Sequence, residues 1–111
     1  MQQECTKEDL RAVKDALEVL SGSWKLQILI TLLDESKRFT EIASNIDGIS
    51  DRMLSKELKD LEQNKLVSRT IYDTFPPLVK YSATEHTKTL NTVIFALKKW
   101  GYLHRKTIIN D

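Results

Sequence analysis

Residues 39–69 read FTEIASNIDGISDRMLSKELKDLEQNKLVSR, and their pattern is the strongest indication of the fold. It begins with a very short helix for which Thr40 is the predicted cap, because a threonine oxygen can accept a hydrogen bond from the first turn. Asp47-Gly48 then predicts a tight turn, since glycine adopts left-handed backbone angles at little steric cost. A longer helix with leucines on one side is predicted over 50–64, with Ser50 as its cap. Two helices therefore meet across a glycine-containing turn.

Upstream of this stretch, apolar residues recur every three or four positions in two successive segments, which predicts two more helices. Thr6, followed three residues later by Asp9, is the predicted start of the first helix. Ser23 is the predicted cap of the second helix. The segment Arg38-Phe39 is too short to form more than an edge strand.

Downstream, the hydrophobic period changes from 3.6 to 2, which predicts a hairpin of two half-buried strands over 67–83. Thr84 is the predicted cap of a last helix over 84–111. Two helices across a glycine-containing turn, followed by a hairpin, describe a winged helix-turn-helix. We therefore predict a mainly α fold with a small β-hairpin (α+β).

The composition bounds the class of protein. The 111 residues carry 17 Lys and Arg against 16 Asp and Glu, a formal charge of +1, and 41% of them are hydrophobic. These values exclude the composition of a disordered chain, and they do not by themselves favour a polyanionic partner. One cysteine cannot form an internal disulfide, no signal peptide is recognisable, and no run of about eighteen apolar residues occurs. We expect one cytoplasmic domain over 1–111 without membrane association.

No catalytic chemistry is indicated by the sequence. His86 and His104 have no cysteine or carboxylate partner at a metal-ligand spacing. No nucleotide-binding or hydrolase motif occurs. The sequence predicts a protein that is not an enzyme and that needs neither a metal nor a cofactor.

The helix over 50–64 separates its side chains into a basic arc and an apolar side. At about 100° per residue, an arc of about 100° holds Arg52, Ser55, Lys56, Lys59 and Gln63. The leucines lie opposite, and the carboxylates are expected on the flanks, at Asp51, Glu57, Asp60 and Glu62. Such a face can bind base edges in the major groove, although a solvated face with ion pairs would show the same arc.

The predicted hairpin and two further basic residues extend the candidate DNA surface. Arg69 and Lys80 flank the hairpin tip, where a wing meets phosphates or the minor groove. The alternative is that the aromatic and proline residues of the tip only stiffen the turn. Lys25 and Arg38 are additional phosphate candidates. The near-neutral total charge also leaves open a protein-interaction adaptor that uses this fold without DNA, because phosphate neutralisation supplies much of DNA affinity.

These elements resemble the HxlR family of bacterial winged-helix transcription regulators, which are MarR-like winged helices. The matching stretches are SGSWKLQIL at 21–29, the segment 38–69, and YDTFPPLVKYSAT at 72–84, followed by a helix that closes on Trp100. The resemblance covers about residues 5–103 in the family's order and spacing. Thr87 and Thr92 depart from it, because many members have glycine and proline at these two positions.

The resemblance implies a homodimer that binds a roughly palindromic operator in double-stranded DNA. The helix over 50–64 would enter the major groove, and the wing over 67–83 would contact the backbone or the minor groove. A repressor is the simplest mode of action, with a small molecule or an oxidant as its effector. From the residues and the resemblance together, the candidate DNA contacts are Lys25, Arg38, Thr40, Ser50, Asp51, Arg52, Met53, Ser55, Lys56, Lys59, Arg69, Tyr72, Thr74 and Lys80.

The helices at the two ends, 1–22 and 84–111, would form the dimer around the central unit 23–83. They carry more apolar side chains than one small core can cover, and such patches mark interfaces; packing of the last helix on the first within one chain is the alternative. The candidate interface residues are Leu10, Val13, Leu17, Val93, Leu97, Trp100 and Leu103.

Cys5 is a candidate redox sensor. Several members of the resembled family carry a cysteine just before the first helix that responds to oxidants or electrophiles. Here Thr6 follows Cys5 in place of the family's usual proline. As the only cysteine of the sequence, Cys5 could also join two copies through a disulfide, or it could have no regulatory role.

Overall fold

The computed structural model describes residues 4–109. In chain order, the elements are α1 (Lys7–Val19), α2 (Lys25–Leu32), α3 (Phe39–Asn45), α4 (Asp51–Gln63), β1 (Val67–Tyr72), β2 (Leu78–Ala83), α5 (Glu85–Lys88) and α6 (Asn91–Ile109). The mainly helical fold with one antiparallel hairpin is confirmed. Within residues 4–109, no helix has the length and apolar content needed to cross a membrane.

The hydrophobic core lies in the middle of the chain, between α2, α3, α4 and the base of the hairpin. It is built from Ile28, Leu29, Leu32, Ile42, Ile46, Leu54, Leu58, Leu61, Leu66 and Val67. The leucines of α4 repeat at spacings of four and three, so they form one buried stripe, as the sequence predicted. The opposite side of α4 is left to the solvent.

The turn between α3 and α4 has the predicted geometry. Gly48 has a φ of +85°, in the left-handed region that glycine tolerates. Ser50 caps α4, because its Oγ accepts a hydrogen bond from the backbone N–H of Met53 at 3.1 Å. At the other end Lys65 takes a left-handed φ of +62°, and the N–H of Leu66 donates to the carbonyl of Leu61 at 2.9 Å. These bonds end α4 at the predicted place.

Two predicted caps are wrong. α2 is preceded by Trp24, whose side chain makes no capping bond, while the backbone carbonyl of Ser23 accepts from the side chain of Gln27 at 2.6 Å. α3 starts before Thr40, because the carboxylate of Glu41 reaches back and accepts the N–H of Arg38 at 2.8 Å. That bond satisfies a free N–H donor at the start of the helix, and Arg38 is the N-cap residue of α3.

The short edge strand predicted at Arg38-Phe39 is also misplaced. Both residues belong to the start of α3, and a single antiparallel bridge forms one residue earlier, between Lys37 and Tyr81. The N–H of Tyr81 donates to Lys37 at 2.8 Å and the N–H of Lys37 donates back at 2.9 Å. This bridge fixes the base of the hairpin to the start of the helix-turn-helix.

The hairpin protrudes from the core, so a half-buried strand is found in β2 and not in β1. In β1 Val67 is buried and the rest is exposed, including Ile71 at 60%. All six residues of β2 are half-buried. β1 is covered only at the base of the hairpin, where Val67 pairs with Ala83, because α4 and the core do not reach its outer residues.

The predicted last helix is two helices. Thr84 caps the four-residue α5, with its Oγ1 accepting the N–H of Thr87 at 3.2 Å, and α6 starts separately at Asn91. The side chain of Thr87 is fully buried, and its hydroxyl donates to the backbone carbonyl of Leu66. Thr84 donates to the carbonyl of Lys65 at 2.8 Å. These bonds fasten α5 to the end of α4, and the chain turns before α6.

The helices α1 and α6 lie outside the core. No residue along Lys7–Val19 or Asn91–Ile109 is buried. The radius of gyration is 16.6 Å, whereas a compact chain of this length has one of about 13 Å. Packing of α6 on α1 within one chain therefore does not cover their apolar residues.

Candidate nucleic-acid interface

The outer side of α4 is a basic surface. Arg52, Lys56 and Lys59 are exposed, and Ser55 is half-buried between them. With Gln63 and Asp60 these residues line one shallow groove along the helix. The structure thus brings together all five residues of the predicted basic arc.

The basic surface is not free of carboxylates, contrary to the expectation from the sequence. Asp60 borders the groove, and its Oδ2 lies 3.7 Å from Nζ of Lys56 and 3.6 Å from Nζ of Lys25. The two ammonium groups offset the negative charge of Asp60. The groove therefore keeps a basic character along its length.

Glu57 is the largest departure from the predicted arrangement. Its side chain was expected on a solvated flank, yet the residue is only 4% exposed. It follows Leu54 by three positions and precedes Leu61 by four, so it falls in the apolar row of α4. This spacing is the sequence signal by which its burial could have been found.

Lys25 is the partner of Glu57. Its Nζ donates to Oε1 of Glu57 at 2.9 Å, and its side chain is only 12% exposed. The hydrogen bond to the Glu57 carboxylate raises the pKa of Lys25, which outweighs the opposing effect of burial. The ammonium that the sequence offered to a phosphate is thus held inside the protein. We therefore leave Lys25 out of the proposed DNA contacts.

Arg69 of the wing lies beside α4. It lines a cleft with Ser55, Lys59 and Glu62 of α4 and with Tyr81 across the hairpin. This position continues the basic surface of α4 onto the wing.

Lys80 lies on the other face of the hairpin. It pairs with Thr70, whereas Arg69 pairs with Tyr81, and neighbouring positions along a strand point to opposite faces. Lys80 also contributes to lowering the pKa of the Glu41 carboxyl, although the backbone N–H of Arg38 is the main cause. The two basic residues of the wing therefore do not share one face.

The tip of the wing is closed by local hydrogen bonds. The N–H of Thr74 donates to the carbonyl of Tyr72 at 2.9 Å, and its Oγ1 donates to the carbonyl of Pro76 at 2.8 Å. Tyr72 is 42% exposed and Phe75 is fully exposed. Phe75 was not among the predicted contacts, and its place between Thr74 and Pro76 at the hairpin tip is the signal that could have included it.

The remaining candidate contacts lie at the starts of α3 and α4. Arg38 and Thr40 are exposed at the first turn of α3, and Nε of Arg38 is 3.8 Å from Oε1 of Glu41. The exposed residues at the start of α4 are Ser50, Asp51 and Met53. They surround the positive end of the α4 dipole, where anionic groups are favoured.

The candidate interface residues all lie on exposed surfaces of the two terminal helices. In α1 the exposed fractions of Leu10, Val13 and Leu17 are 60%, 54% and 64%. In α6 those of Val93, Leu97, Trp100 and Leu103 are 45%, 50%, 60% and 60%. Cys5 is exposed just before the capping residue Thr6.

The sequence is similar to known transcription regulators over most of its length. The HTH-type transcriptional regulator YdeP of Bacillus subtilis (strain 168) is 38% identical over 96 residues, which are 86% of this chain and 75% of YdeP. The HTH-type transcriptional regulator YodB of the same organism is 36% identical over 89 residues, which are 80% of each chain.

Solved structures of transcription regulators are also similar to this chain. The redox regulator HypR in its reduced form superposes with a TM-score of 0.83 at 34% identity, covering 90% of this chain and 99% of HypR. The reduced form of YodB from B. subtilis superposes with a TM-score of 0.75 at 33% identity, covering 87% of this chain and 91% of YodB. The winged helix-turn-helix predicted from the sequence is confirmed.

The family signature itself extends over residues 19–108, from the end of α1 to the last turn of α6. This range includes α2, α3, α4, the hairpin and both C-terminal helices. The chain belongs to the HxlR-like helix-turn-helix family.

Proposed function

We propose that this protein is a dimeric transcription regulator that reads double-stranded DNA with α4 and contacts the flanking backbone or minor groove with its wing. The observation that carries the proposal is the basic groove on the outer side of α4. An α-helix fits the major groove, where Arg and Lys donate to guanine and Ser and Gln can donate or accept. The similarity to HTH-type transcriptional regulators supports the same function.

The second support is the position of Arg69 next to α4. A helix and a hairpin that present basic side chains side by side can contact one duplex together. Base contacts from α4 would then specify the sequence, while the wing would fix the register of the protein on the backbone. Lys80, on the other face of the hairpin, would reach the phosphates of the opposite strand if the hairpin enters the minor groove on its edge.

The homodimer is supported by the exposed apolar residues of the terminal helices. α6 is apolar on two opposite sides, because Phe95, Tyr102 and Ile109 recur every seven residues, about 180° away from Val93 and Leu97. A helix that is apolar on several sides needs more than one neighbour. In a two-fold dimer, α6 and α1 of the partner can be the two neighbours that cover these opposite sides. Two copies of α4 would then bind the two halves of a roughly palindromic operator.

Repression is the mode of action that this architecture favours. The described chain consists of a DNA-binding unit and two terminal helices, so a bound dimer can act by occupying a promoter. A cytoplasmic location follows from this function.

The direct test is fluorescence anisotropy with labelled duplex DNA from the region that flanks the protein's own gene. A scrambled duplex is the control, and both are measured at two salt concentrations with a reductant present. We expect tight binding that prefers the flanking duplex and weakens steeply with salt, because bound phosphates release counterions. Absence of binding to either duplex at low salt would contradict the proposal and favour an adaptor function.

We also propose that DNA binding responds to oxidants through Cys5. The support is the exposed position of Cys5 beside α1, together with the similarity to HypR, which is described as a redox regulator. Oxidation at this place would act on the proposed dimer helices, either through a disulfide between two copies or through a modified thiol.

Cys5→Ser tests this role. We expect that diamide or hypochlorite weakens operator binding by the wild-type protein and leaves the serine variant unchanged, since the variant has no thiol. Non-reducing electrophoresis then shows whether the oxidised wild type is a disulfide-linked dimer. An equal response of both proteins would exclude Cys5 from the mechanism.

A further inference from the structure

Two lysines and two carboxylates form a charge cluster where α2 meets α4. Lys25 extends from the first turn of α2, and Lys56, Glu57 and Asp60 belong to α4. Nζ of Lys25 is 2.9 Å from Oε1 of Glu57 and 3.6 Å from Oδ2 of Asp60. Lys56 lies 3.8 Å and 3.7 Å from the same two oxygens. The cluster therefore joins an internal ion pair to the DNA-facing groove.

The inner pair of this cluster is nearly excluded from water. The side chains of Lys25 and Glu57 are 12% and 6% exposed, whereas that of Lys56 is 66% exposed. Removing one partner of such a pair leaves a buried charge without compensation, which is strongly unfavourable. Lys25 therefore stays on Glu57, while Lys56 can turn toward a phosphate.

Lys25 also permits the observed rotation of α4 about its own axis. It compensates the charge of Glu57 on the core side, while Arg52, Lys56 and Lys59 extend from the other side. An unpaired Glu57 would favour a rotation of α4 that exposes its carboxylate to water. A helix with its side chains has a radius of about 5–6 Å, so a rotation of about 20° moves its surface atoms by about 2 Å. Such a displacement would break the aligned hydrogen bonds that base recognition requires.

The charge of Lys25 has a second effect at the groove. Without it, the carboxylates of Glu57 and Asp60 would be compensated by Lys56 alone. With it, the cluster contains two positive and two negative groups. Lys25 thus balances the charge of the cluster without contacting the DNA itself.

We propose that Lys25 is a positioning residue for DNA reading, which keeps the Glu57 carboxylate on the core side of α4 and does not contact a phosphate. This inference rests on the proposed function of α4. It predicts that Lys25 matters for the preference between sequences and not for the number of phosphates bound. It also predicts that Lys25 is dispensable when Glu57 is removed together with it.

The test compares Lys25→Met with the double variant Lys25→Met/Glu57→Met, in which no buried charge is left unpaired. Lys88→Met is the matched control, since it removes a lysine that is ion-paired with Glu85 at 3.2 Å outside the interface. Anisotropy is measured with the operator duplex and with a scrambled duplex over a series of salt concentrations. Amide hydrogen exchange of α4 is measured without DNA.

For Lys25→Met, we expect the preference for the operator to fall about tenfold or more. The slope of log K against log salt concentration should match that of Lys88→Met. Amide hydrogen exchange in α4 should become faster than in the wild type. The double variant should recover both the preference and slow exchange. If Lys25→Met does not fold, the double variant alone decides, by its operator preference and its salt dependence.

The inference would be overturned if the double variant still bound the operator weakly and its plot of log K against log salt concentration were shallower in slope by about 0.9. That difference is the value of one phosphate contact. Unchanged exchange of α4 in a folded Lys25→Met would overturn it independently of DNA. Wild-type protein that binds neither duplex would instead contradict the proposed function, so the two failures can be told apart.

Discussion

At the scale of single residues, the chemistry of the interface depends on where each charge is held. Three exposed basic side chains of α4 are available to a ligand, whereas Lys25 is committed to the buried Glu57. Both types of lysine look alike in the sequence. The difference in their environment is the basis for the contact role proposed for one group and the positioning role proposed for the other.

Arg52 is the basic residue nearest the start of α4 and is expected to read a base. Arg52→Ala should weaken operator binding by about 1–3 kcal/mol and relax the base preference at one position, because a bidentate contact to guanine is lost. The measurement is anisotropy with operators substituted at each base pair. Arg11→Ala on α1 is the control, since it removes the same charge away from the basic groove of α4. Equal losses of operator affinity for both variants would refute the assignment.

Thr87 has a structural role, because its buried hydroxyl donates to the backbone carbonyl of Leu66. Thr87→Val removes the hydroxyl that donates to Leu66 and should lower the free energy of unfolding by about 1 kcal/mol. Thr87→Gly should cost more, because it also removes a fully buried side chain. Urea denaturation of the three proteins gives the order, and a glycine variant as stable as the wild type would disprove this role.

At the scale of elements, the caps and turns determine where each helix presents its side chains. α1 starts at a reciprocal cap, in which Thr6 N–H donates to Asp9 at 2.8 Å and Asp9 N–H donates to Thr6 at 3.1 Å. α4 starts at Ser50 and ends at the left-handed Lys65. The hairpin register places Arg69 beside α4 and Lys80 on the other face. Local hydrogen bonds thus decide which residues lie on the basic side of α4 and the adjoining face of the hairpin.

The cap of α1 gives a pH dependence. The backbone N–H of Thr6 holds the pKa of Asp9 below its ordinary value of 3.8. Because the folded-state pKa is depressed, the stabilisation is present above the ordinary value and is lost as the pH falls through the lowered one. We expect amide exchange in the first turn of α1 to accelerate in that acidic range. Asp9→Asn, which cannot titrate, should show no such acceleration, and an identical acid response of both proteins would rule out the cap as its cause.

At the scale of the whole molecule, the described chain combines a packed centre with two unpaired terminal helices. The longest dimension is 57 Å and the shortest 23 Å. Neither α1 nor α6 buries a residue, although both carry large apolar side chains. This distribution is typical of a subunit whose core is completed by a partner.

Trp100 lies in the middle of α6 and is 60% exposed, with its ring stacked on that of His104 at 4.7 Å. Trp100→Glu should weaken the dimer by about 2 kcal/mol or more, because it places a charge in an apolar interface. Sedimentation or light scattering over a concentration series measures the shift toward monomer. Lys99→Glu is the neighbouring control, and a dimer that withstands Trp100→Glu would place the interface elsewhere.

The order of the helices, the glycine turn, the basic arc of α4 and the apolar excess of the terminal helices could all be predicted from the amino-acid sequence. These features follow from local periodicity and turn chemistry, which are properties of neighbouring residues. Tertiary structure alone decided that Lys25 and Glu57 form a buried pair, since they lie 32 positions apart in the chain. It also decided that the hairpin emerges from the core beyond Val67 and that α6 separates from α5. Each of these depends on which surfaces long-range packing brings together. The spacing of Glu57 indicates its burial, but no local pattern identifies Lys25 as its partner.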